Sequence, residues 1–479
     1  MPFILGANTL STGAYEVANS CRFQDSDSSE MSRSIGSTGS NTTWTVSAWV
    51  KRVELGQSSP IFGTGDGNAN NDARMVFFDA DDKIECSYYN SGYTYEVTTN
   101  RIFRDISAWY HICILFDTTE STAADRVKIY VNGTKETSFA TSSYPSEDAS
   151  FNFGNTSYSH FVNDMGGRNI RGSHYIAELV YLDGTALAVT NFGEFDSDSP
   201  RIWKPKDVSG LSSSKGVNGF YMDFEDSSNL GNDVWGGTDF TESNLDAQNQ
   251  TTDTCTNNFN VINPLYLAAS NYTLTEGNLS VDGNASSAWR SLYTTTPLTS
   301  GKWYFEVKID AHNSTDLNNF IIGIVSIDQL DQTSSNGKFF GTAQGYGYHA
   351  KDGKKLNNDT VTANGASYGA SFSTGNIIGV FLDLDNHKLY FSKDGVVQAS
   401  GDPTSGSSGT NAAFSITTGH TYVPCIANYY TEEQYSFNFG NPVESLSSAQ
   451  NDSNGYGSFE YATQGYYSIC TKNLAEFGG

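Results

Sequence analysis

The stretch GNIIGVFLDLDNHKLYFSKDGVV, residues 375–397, contains two strand patterns and the turn that follows the second. NIIGVFLDL is apolar almost throughout, which is typical of an inner strand with both faces covered. KLYFS follows it, and Asp394 and Gly395 then supply the residue types that reverse a tight hairpin. The stretch therefore predicts an inner strand followed by an amphipathic strand that a Gly turn reverses.

A hairpin of the same form occurs at VKIYVNGTKE, residues 127–136. In VKIYV, β-branched residues alternate with Lys128 and Tyr130, so the pattern predicts an apolar inward face with Lys128 and Tyr130 outward. Asn132 and Gly133 favour a type I′ turn. The sequences around the two hairpins do not align as copies. We therefore infer two sandwiches that use the same local structure, without a duplicated segment.

Alternating or continuous apolar segments of strand length recur along the chain. The clearest are TVSAWV (45–50), HICILF (111–116), IAELVYLDG (176–184), KWYFEVKI (302–309), NFIIGIVSI (319–327) and YVPCIANYY (422–430). KWYFEVKI places Tyr304, Glu306 and Lys308 on the face opposite its apolar residues, and HICILF suits a strand buried on both sides. The sequence predicts an all-β fold, with two antiparallel concanavalin-like or jelly-roll β-sandwiches joined by an irregular connector.

Changes in the pattern divide the chain into four parts. The stretch between the two strand-rich regions is dominated by Gly, Ser, Asn and Asp, and its Trp235, Phe240 and Phe259 indicate that it is ordered in part. The predicted parts are a first sandwich (1–205), the connector (206–265), a second sandwich (266–442) and a C-terminal extension (443–479).

Charge and composition exclude several classes of function. The net charge is -26, from 27 Lys and Arg against 53 Asp and Glu. Such a surface repels phosphate backbones, so no nucleic acid is expected as a partner. No apolar run is long enough for membrane insertion, and residues 1–13 lack the basic region of a secretory signal peptide. The six cysteines form no CxxC pair and suit a reducing compartment.

The second sandwich resembles the SPRY family over nearly its whole length. The residues that carry this resemblance are GKWYFEVKI (301–309), IIGI (321–324), GYGYHAKDGKK (345–355), GNIIGVFLDLDNHKLYFSKDGVV (375–397), YVPCIANYY (422–430) and FNFG (437–440). The first sandwich resembles laminin-G-like, concanavalin A-like lectin domains in SCRFQDSDSSEMSRS (20–34), WTVSAWVKR (44–52), WYHICILFD (109–117), VKIYVNG (127–133) and YIAELVYLDG (175–184). Both resemblances imply antiparallel two-sheet sandwiches.

The order of parts along the chain is similar to that of structural proteins of tailed phages. The further segments that carry this resemblance are FGEFDSDSPRIWKPKDVSGL (192–211), NGFYMDFEDSSNLGND (218–233), TDTCTNNFNVINPL (252–265) and GYYSICTKNLAEFGG (465–479). The resemblance implies a virion component, such as a tail fibre, head fibre or other surface appendage, and the missing signal pattern indicates that it folds in the host cytoplasm. Other virion proteins are then partners, and a homo-oligomer is expected because repeated weak sites gain avidity. The chain ends soon after the last segment, where we expect many relatives to continue.

Catalytic patterns are weak in this sequence. Retaining glycosidases with concanavalin-like folds need two carboxylates about 5 Å apart, and the nearest candidate pairs are Asp223 with Glu225 and Asp383 with Asp385. The first pair lies in the connector and lacks the additional Glu of laminarinase relatives, and in the second Asp385 is expected to shape a turn. No G-x-S-x-G motif occurs. We therefore predict no catalytic residues and a protein that is not an enzyme.

Two tyrosine-rich stretches contain the candidate ligand-binding residues, because lectin sandwiches stack sugar rings on loop aromatics. The candidates are Tyr88, Tyr93 and Tyr95 in CSYYNSGYTYEV (86–97), and Tyr346 and Tyr348 in GYGYHAKDG (345–353). The alternative role of these residues is cross-strand pairing or burial in the sandwich.

One loop could hold a cation. GTGDGNANND, residues 63–72, is a candidate calcium loop through Asp66 and Asp72, because Ca²⁺ binds clustered carboxylate and carbonyl oxygens. A polar hairpin loop without metal explains the same composition. We expect no other cofactor.

These observations favour a non-enzymatic virion protein whose two sandwiches act in attachment to the host surface, through a glycan or another envelope molecule. The alternative is a purely structural decoration protein of the capsid or tail that binds other virion proteins. A polysaccharide-degrading enzyme is a third hypothesis.

Overall fold

The computed structural model describes residues 15–68, 70, 72–265, 272–283, 288–312, 319–330, 337–359 and 365–478. The chain divides into two compact units, the first ending at Thr256 and the second beginning at Asn257. Both are built from antiparallel sheets, which confirms the predicted all-β class. Within the described ranges, no helix has the length and apolar character needed to cross a membrane.

The first unit contains eighteen strands in its described residues. They are β1 (Ser20–Phe23), β2 (Glu30–Ser34), β3 (Thr43–Arg52), β4 (Ser59–Gly65), β5 (Asp72–Phe78), β6 (Lys83–Tyr89), β7 (Tyr93–Ile102), β8 (Trp109–Asp117), β9 (Val127–Val131), β10 (Thr134–Lys135), β11 (Phe139–Ser143), β12 (Ser159–Val162), β13 (His174–Asp183), β14 (Gly193–Phe195), β15 (Trp203–Pro205), β16 (Phe220–Met222), β17 (Thr241–Ser243) and β18 (Gln250–Thr251).

These strands form two sheets and a small ribbon. Sheet I has the order β10-β9-β8-β3-β13-β1-β18, with β16 paired to β13, and sheet II has the order β11-β7-β6-β5-β4-β12-β2-β17. β14 pairs with β15. Apolar side chains of both sheets, such as Ile114 from sheet I and Val97 from sheet II, form one core cluster between them. The strand pattern therefore closes as a sandwich.

Sheet I is buried on its outer face as well. A second cluster there includes Trp49 and Cys113 from the sheet. Phe192, Trp203 and Val208, which follow β13 in the chain, pack against them. HICILF is thus covered on both sides, as its continuous apolar pattern predicts.

Trp203 is held against the sheet by a defined hydrogen bond. Its Nε1 donates to Nδ1 of His111 at 3.0 Å, and the other ring nitrogen of His111 lies 2.9 Å from Oγ of Ser47. Burial lowers the pKa of His111 to about 3, so this histidine is neutral. Gly133 has a φ of 73°, and a Cβ at this position would lie 2.2 Å from the Trp203 ring.

The predicted connector, residues 206–265, differs from the structure. β16, β17 and β18 fall within it, and they pair with β13, β2 and β1. Its residues up to Thr256 therefore complete the first unit, and the rest belong to the second. The physical reason is that the aromatic residues of this segment fill sites in the first unit, where Phe220 and Phe240 join the core cluster.

Arg33, on β2, fixes this segment to sheet II. The Nη2 atom donates to the carbonyl oxygen of Asn218 at 2.6 Å, and Nη1 donates to that of Thr238 at 3.0 Å. The guanidinium lies 4.9 and 4.6 Å from the ring centres of Phe220 and Phe240. One buried cation therefore binds the segment through both its backbone and its aromatic rings.

The charge of Arg33 is balanced by a buried carboxylate. Asp233 lies 3.8 Å from the guanidinium, and the two side chains are 0% and 6% exposed. Asp233 also accepts backbone N–H groups of Tyr221, Trp235 and Gly237. Removing either partner would leave an uncompensated buried charge.

The second unit has seventeen strands and one α-helix in its described residues. They are β19 (Tyr272–Thr275), β20 (Ser280–Gly283), β21 (Arg290–Tyr293), β22 (Lys302–Ala311), β23 (Phe320–Ser326), β24 (Gly345–His349), β25 (Lys354–Asn357), β26 (Ala366–Ser367), β27 (Ile377–Asp383), β28 (Lys388–Lys393), β29 (Val396–Val397), β30 (Phe414–Ser415), β31 (Tyr422–Asn428), β32 (Gln434–Asn438), β33 (Gln450–Asn451), β34 (Ser458–Phe459), β35 (Tyr467–Ser468) and α1 (Thr471–Phe477).

This unit is again a two-sheet arrangement. Sheet III has the order β19-β20-β32-β22-β27-β28-β29, with β30 on β28 and β35 parallel to β22, and sheet IV has the order β21-β31-β23-β24-β25-β26. The stretch 375–397 supplies β27 and β28, which pair antiparallel in the interior of sheet III. Asp394 and Gly395 have φ values of 49° and 78°, and Asn132 and Gly133 have 47° and 73°. Both hairpins therefore have the positive φ values of a type I′ turn.

The C-terminal extension covers the outer face of sheet III. Phe459 and Tyr466 pack there against Tyr304, Phe381 and Tyr390, and all five side chains are at least 98% buried. Tyr304 therefore does not face solvent, although its strand pattern places it opposite the apolar core. The extension is part of this unit's packing.

Glu306 anchors the extension. Its carboxylate accepts the backbone N–H groups of Glu460 and Tyr461, each at 2.9 Å. It also accepts the hydroxyl of Tyr304 at 2.9 Å. Burial raises the pKa of Glu306, and these hydrogen bonds lower it.

We expect Arg33→Ala to lower the free energy of unfolding of the first unit by about 3–5 kcal/mol, because Asp233 is left buried without its cation. Chemical denaturation of the whole chain measures this loss. Arg201→Ala, at an exposed arginine, is the matched control and should change stability little. Equal effects of the two substitutions would contradict the assigned role of Arg33.

We expect Phe459→Ala to destabilise the second unit by about 3–5 kcal/mol, because it opens a cavity between the extension and sheet III. The measurement is again the denaturation midpoint. Tyr456→Ala, at a residue that is 37% exposed, serves as the control. A wild-type midpoint for Phe459→Ala would show that the extension does not stabilise the sheet.

Candidate ligand-binding face

The outward face of sheet II carries a row of residues from six neighbouring strands. Cross-strand partners share a face, and the paired residues in this row are Ser32, Phe161, Gly63, Arg74, Ser87 and Glu96. The neighbouring residues Phe62 and Val162 point the other way, into the core. We call this row and the side chains beside it the sheet II face.

Arg74 lies at the centre of the sheet II face. Its Nη1 donates to the hydroxyl of Tyr93 at 2.8 Å and to Oε1 of Glu85 at 3.3 Å. The guanidinium is 5.4 to 5.7 Å from the ring centres of Phe77, Tyr89 and Tyr93. Aromatic faces and a carboxylate therefore fix the orientation of this cation.

Two carboxylates accompany Arg74. Glu85 is 5% exposed and accepts the hydroxyl of Ser87 at 2.6 Å. Burial raises the pKa of Glu85, the negative charge of Glu96 raises it further, and Arg74 lowers it. Glu96 lies opposite Ser87 on the next strand. The face thus presents hydrogen-bond donors and acceptors beside aromatic rings.

Of the tyrosines predicted in the first sandwich, only Tyr93 reaches this surface. It is 48% exposed, whereas Tyr88 and Tyr95 are 4% and 0% exposed and belong to the core. The reason is a shift in pairing: Tyr88 lies opposite Tyr95, but Tyr89 lies opposite Tyr93. This irregularity places Tyr93 and Tyr95 on different faces despite their spacing of two.

The tyrosines predicted in the second sandwich are buried. Tyr346 is 4% exposed, and its hydroxyl lies 2.9 Å from Oγ1 of Thr417. Tyr348 is fully buried against the rings of Phe372 and Phe391. These side chains stabilise the sandwich and have no surface for a ligand.

The carboxylate pairs considered for catalysis have structural partners. Asp383 accepts the backbone N–H and the side-chain amide of Asn386, each at 2.8 Å, and so closes the turn before β28. Asp385 accepts the backbone N–H of Gly301 at 2.7 Å. Asp223 accepts the N–H of Glu225 at 3.0 Å in a local turn.

The candidate calcium loop is described only in part. Asp66 accepts the backbone N–H of Asn68 at 2.9 Å, while Ala69, Asn71 and the side chain of Asp72 lie outside the described residues. Among the residues that are described, no three His, Cys, Asp or Glu side chains are grouped closely enough to hold a metal ion. The calcium site stays a prediction.

Sequence reasoning did not select Arg74, Glu85 or Tyr89. The signal that could have found them is the alternation in β5 and β6, where DARMVFF and KIECSYY place polar and apolar side chains on opposite faces. The pairing of the strands, which brings these residues together around Arg74, is a property of the folded sheet.

Comparison with protein families agrees with this architecture. Residues 25–168 match the model of the concanavalin A-like lectin/glucanases superfamily, and residues 302–442 match the SPRY domain. The predicted order, a laminin-G-like domain followed by a SPRY domain, is confirmed. Domains of these two kinds are typically binding or interaction modules.

Individual proteins match parts of the chain. A Ran-binding proteins 9/10 homolog of Drosophila melanogaster is 32% identical over 130 residues, which are 26% of this chain and 12% of that protein. The chain therefore spans about an eighth of the length of this curated relative.

Two solved SPRY domains also match. The SPRY domain of human HERC1 is 18% identical and a human SPRY domain is 17% identical; they cover 37% and 36% of this chain and 96% of their own chains, with TM-scores of 0.27.

We expect Arg74→Gln to raise the pKa of Glu85 further, because the positive charge of Arg74 lowers that pKa. A carboxyl NMR titration of glutamate-labelled protein, assigned with Glu85→Gln, measures the change. Arg101→Gln, at an arginine paired with Glu136, is the control. An unchanged or lowered pKa of Glu85 in Arg74→Gln would show that the two groups do not interact.

Proposed function

We propose that this protein, with its concanavalin A-like domain and SPRY domain in series, is a non-enzymatic phage virion protein of the tail- or head-fibre type. In this proposal it attaches the particle to the host surface by binding a glycan or another envelope molecule. It acts on the virion, together with other virion proteins and with further copies of itself. The order of segments along the chain and the acidic composition support the virion assignment.

The sheet II face is the observation that carries the attachment function. Sugars offer apolar ring faces and pairs of hydroxyl groups, and lectin sites combine aromatic stacking with hydrogen bonds from a few polar groups. The sheet II face has both: Tyr93 is exposed, and the partly exposed Arg74 and Glu96 can donate to or accept from hydroxyl groups, while the buried Glu85 holds Arg74 in place. These polar groups are already oriented before a ligand binds, which lowers the entropic cost of binding.

A second candidate function is protein binding through the SPRY domain. The match to residues 302–442 favours it, and the Drosophila relative carries the name of a Ran-binding protein homolog. In a virion, this function corresponds to a decoration protein that contacts other structural proteins.

A glycan array of bacterial surface polysaccharides tests the attachment proposal. We expect the intact chain to bind at least one polysaccharide, and Arg74→Ala together with Tyr93→Ala to weaken that binding at least tenfold. This corresponds to about 1.4 kcal/mol or more. Arg101→Ala is the matched control, and it should bind as the unmodified chain does.

Two outcomes would contradict the proposal. Binding that survives the double substitution would place the ligand elsewhere than on the sheet II face. Release of reducing ends from a bound polysaccharide, abolished by Glu85→Gln, would show an enzyme instead of a binding module.

A further inference from the structure

The second unit has a pocket on the outer face of sheet III, beside the aromatic cluster that the C-terminal extension covers. The floor includes Glu306 and Lys308 of β22, with Ile377 of β27 and Ser436 of β32 opposite Lys308 on the two neighbouring strands. Residues 442–447 form the other wall, and the volume is about 260 Å³. Pockets for drug-sized ligands measure roughly 300–1,000 Å³, so this one fits a single side chain.

Much of the pocket wall is apolar. Its apolar lining residues include Ile377, Pro442, Val443 and Leu446. Val443 is buried, whereas Leu446 and Ile377 are only partly covered. An occupant with a hydrocarbon portion would remove this remaining apolar surface from water.

The charged part of the pocket is acidic. Three carboxylates, those of Glu306, Glu444 and Glu460, line it with one cation, Lys308. Lys308 forms an ion pair with Glu444 and lies 3.4 Å from Asp310, so its charge is already compensated. A cation is therefore favoured in this pocket and an anion is repelled.

Two of the carboxylates can accept further donors. Glu306 already receives four, from Tyr304, Asn438 and the backbone of Glu460 and Tyr461. Glu460 receives two, both from Ser447, and Glu444 is half exposed with Lys308 as its partner. A carboxylate has about four acceptor positions, so Glu444 and Glu460 are the groups that could bind a new cation.

We propose that this pocket binds a basic side chain, arginine or lysine, presented by a partner protein. The hydrocarbon stem lies against Val443 and Leu446, and the cationic head binds Glu444 and Glu460. Arginine and lysine combine an apolar stem with a charged end, which matches these two kinds of wall. The site is separate from the sheet II face and does not depend on the proposed attachment function.

Saturation-transfer NMR with N-acetyl-arginine methylamide and N-acetyl-lysine methylamide tests the proposal on the full chain. The citrulline derivative, which has the shape of arginine without its charge, is the ligand control. We expect the two cationic probes to bind and the citrulline derivative to bind at least fivefold more weakly. Glu444→Gln should weaken binding of the cationic probes by about two- to fivefold, as expected for a partly exposed ion pair.

Leu446→Trp provides a second variant, because the larger side chain fills the cavity; we expect it to abolish binding. Glu432→Gln, at an exposed glutamate of the same unit, is the protein control and should bind as the unmodified chain does. Thermal unfolding verifies that each variant is folded. Equal binding of the citrulline derivative, or unchanged binding in Leu446→Trp, would overturn the proposal.

Discussion

Burial of the outer face of one sheet in each unit is the constraint on which the rest of the structure depends. Sheet I presents Trp49 and sheet III presents Tyr304 and Tyr390 on the side opposite the sandwich core. Large aromatic side chains on a bare sheet would leave an extended apolar surface in water. Each unit therefore needs a third layer, and segments with little regular structure supply it.

Buried polar groups hold two irregular segments in place: one packs into the core beside sheet II, and the other covers sheet III. Arg33 binds residues 218 and 238 through their carbonyl oxygens, and Glu306 binds residues 460 and 461 through their N–H groups. The arginine supplies donors to free carbonyls, and the glutamate supplies acceptors to free N–H groups. A buried segment that lacks its own ladder of backbone hydrogen bonds thereby obtains partners for its free C=O or N–H groups.

The sequence predicted the sandwiches well because their signal is local. HICILF, KWYFEVKI and the two Gly turns carry period-two or continuous apolar patterns, and each became a strand or a turn of the expected form. The packing of the connector was harder to predict. Trp235 and Phe240 indicate that the segment is ordered, but they do not indicate the sheet against which it packs. The prediction that the tyrosines share one surface was not met for a related reason. A pairing shift near Thr94 places Tyr93 and Tyr95 on different faces, and no local sequence pattern indicates this shift.

By itself, the sequence determined the all-β class, the two modules in their order and the positions of their hairpin turns, because strand alternation and turn chemistry depend on neighbouring residues. Only the tertiary structure decided which polar residues meet. Arg74, Glu85 and Tyr93 come from three strands, and Glu306 meets a segment more than 150 residues away. Such groups are brought together by sheet register and by the need to cover apolar faces, which are properties of the whole unit.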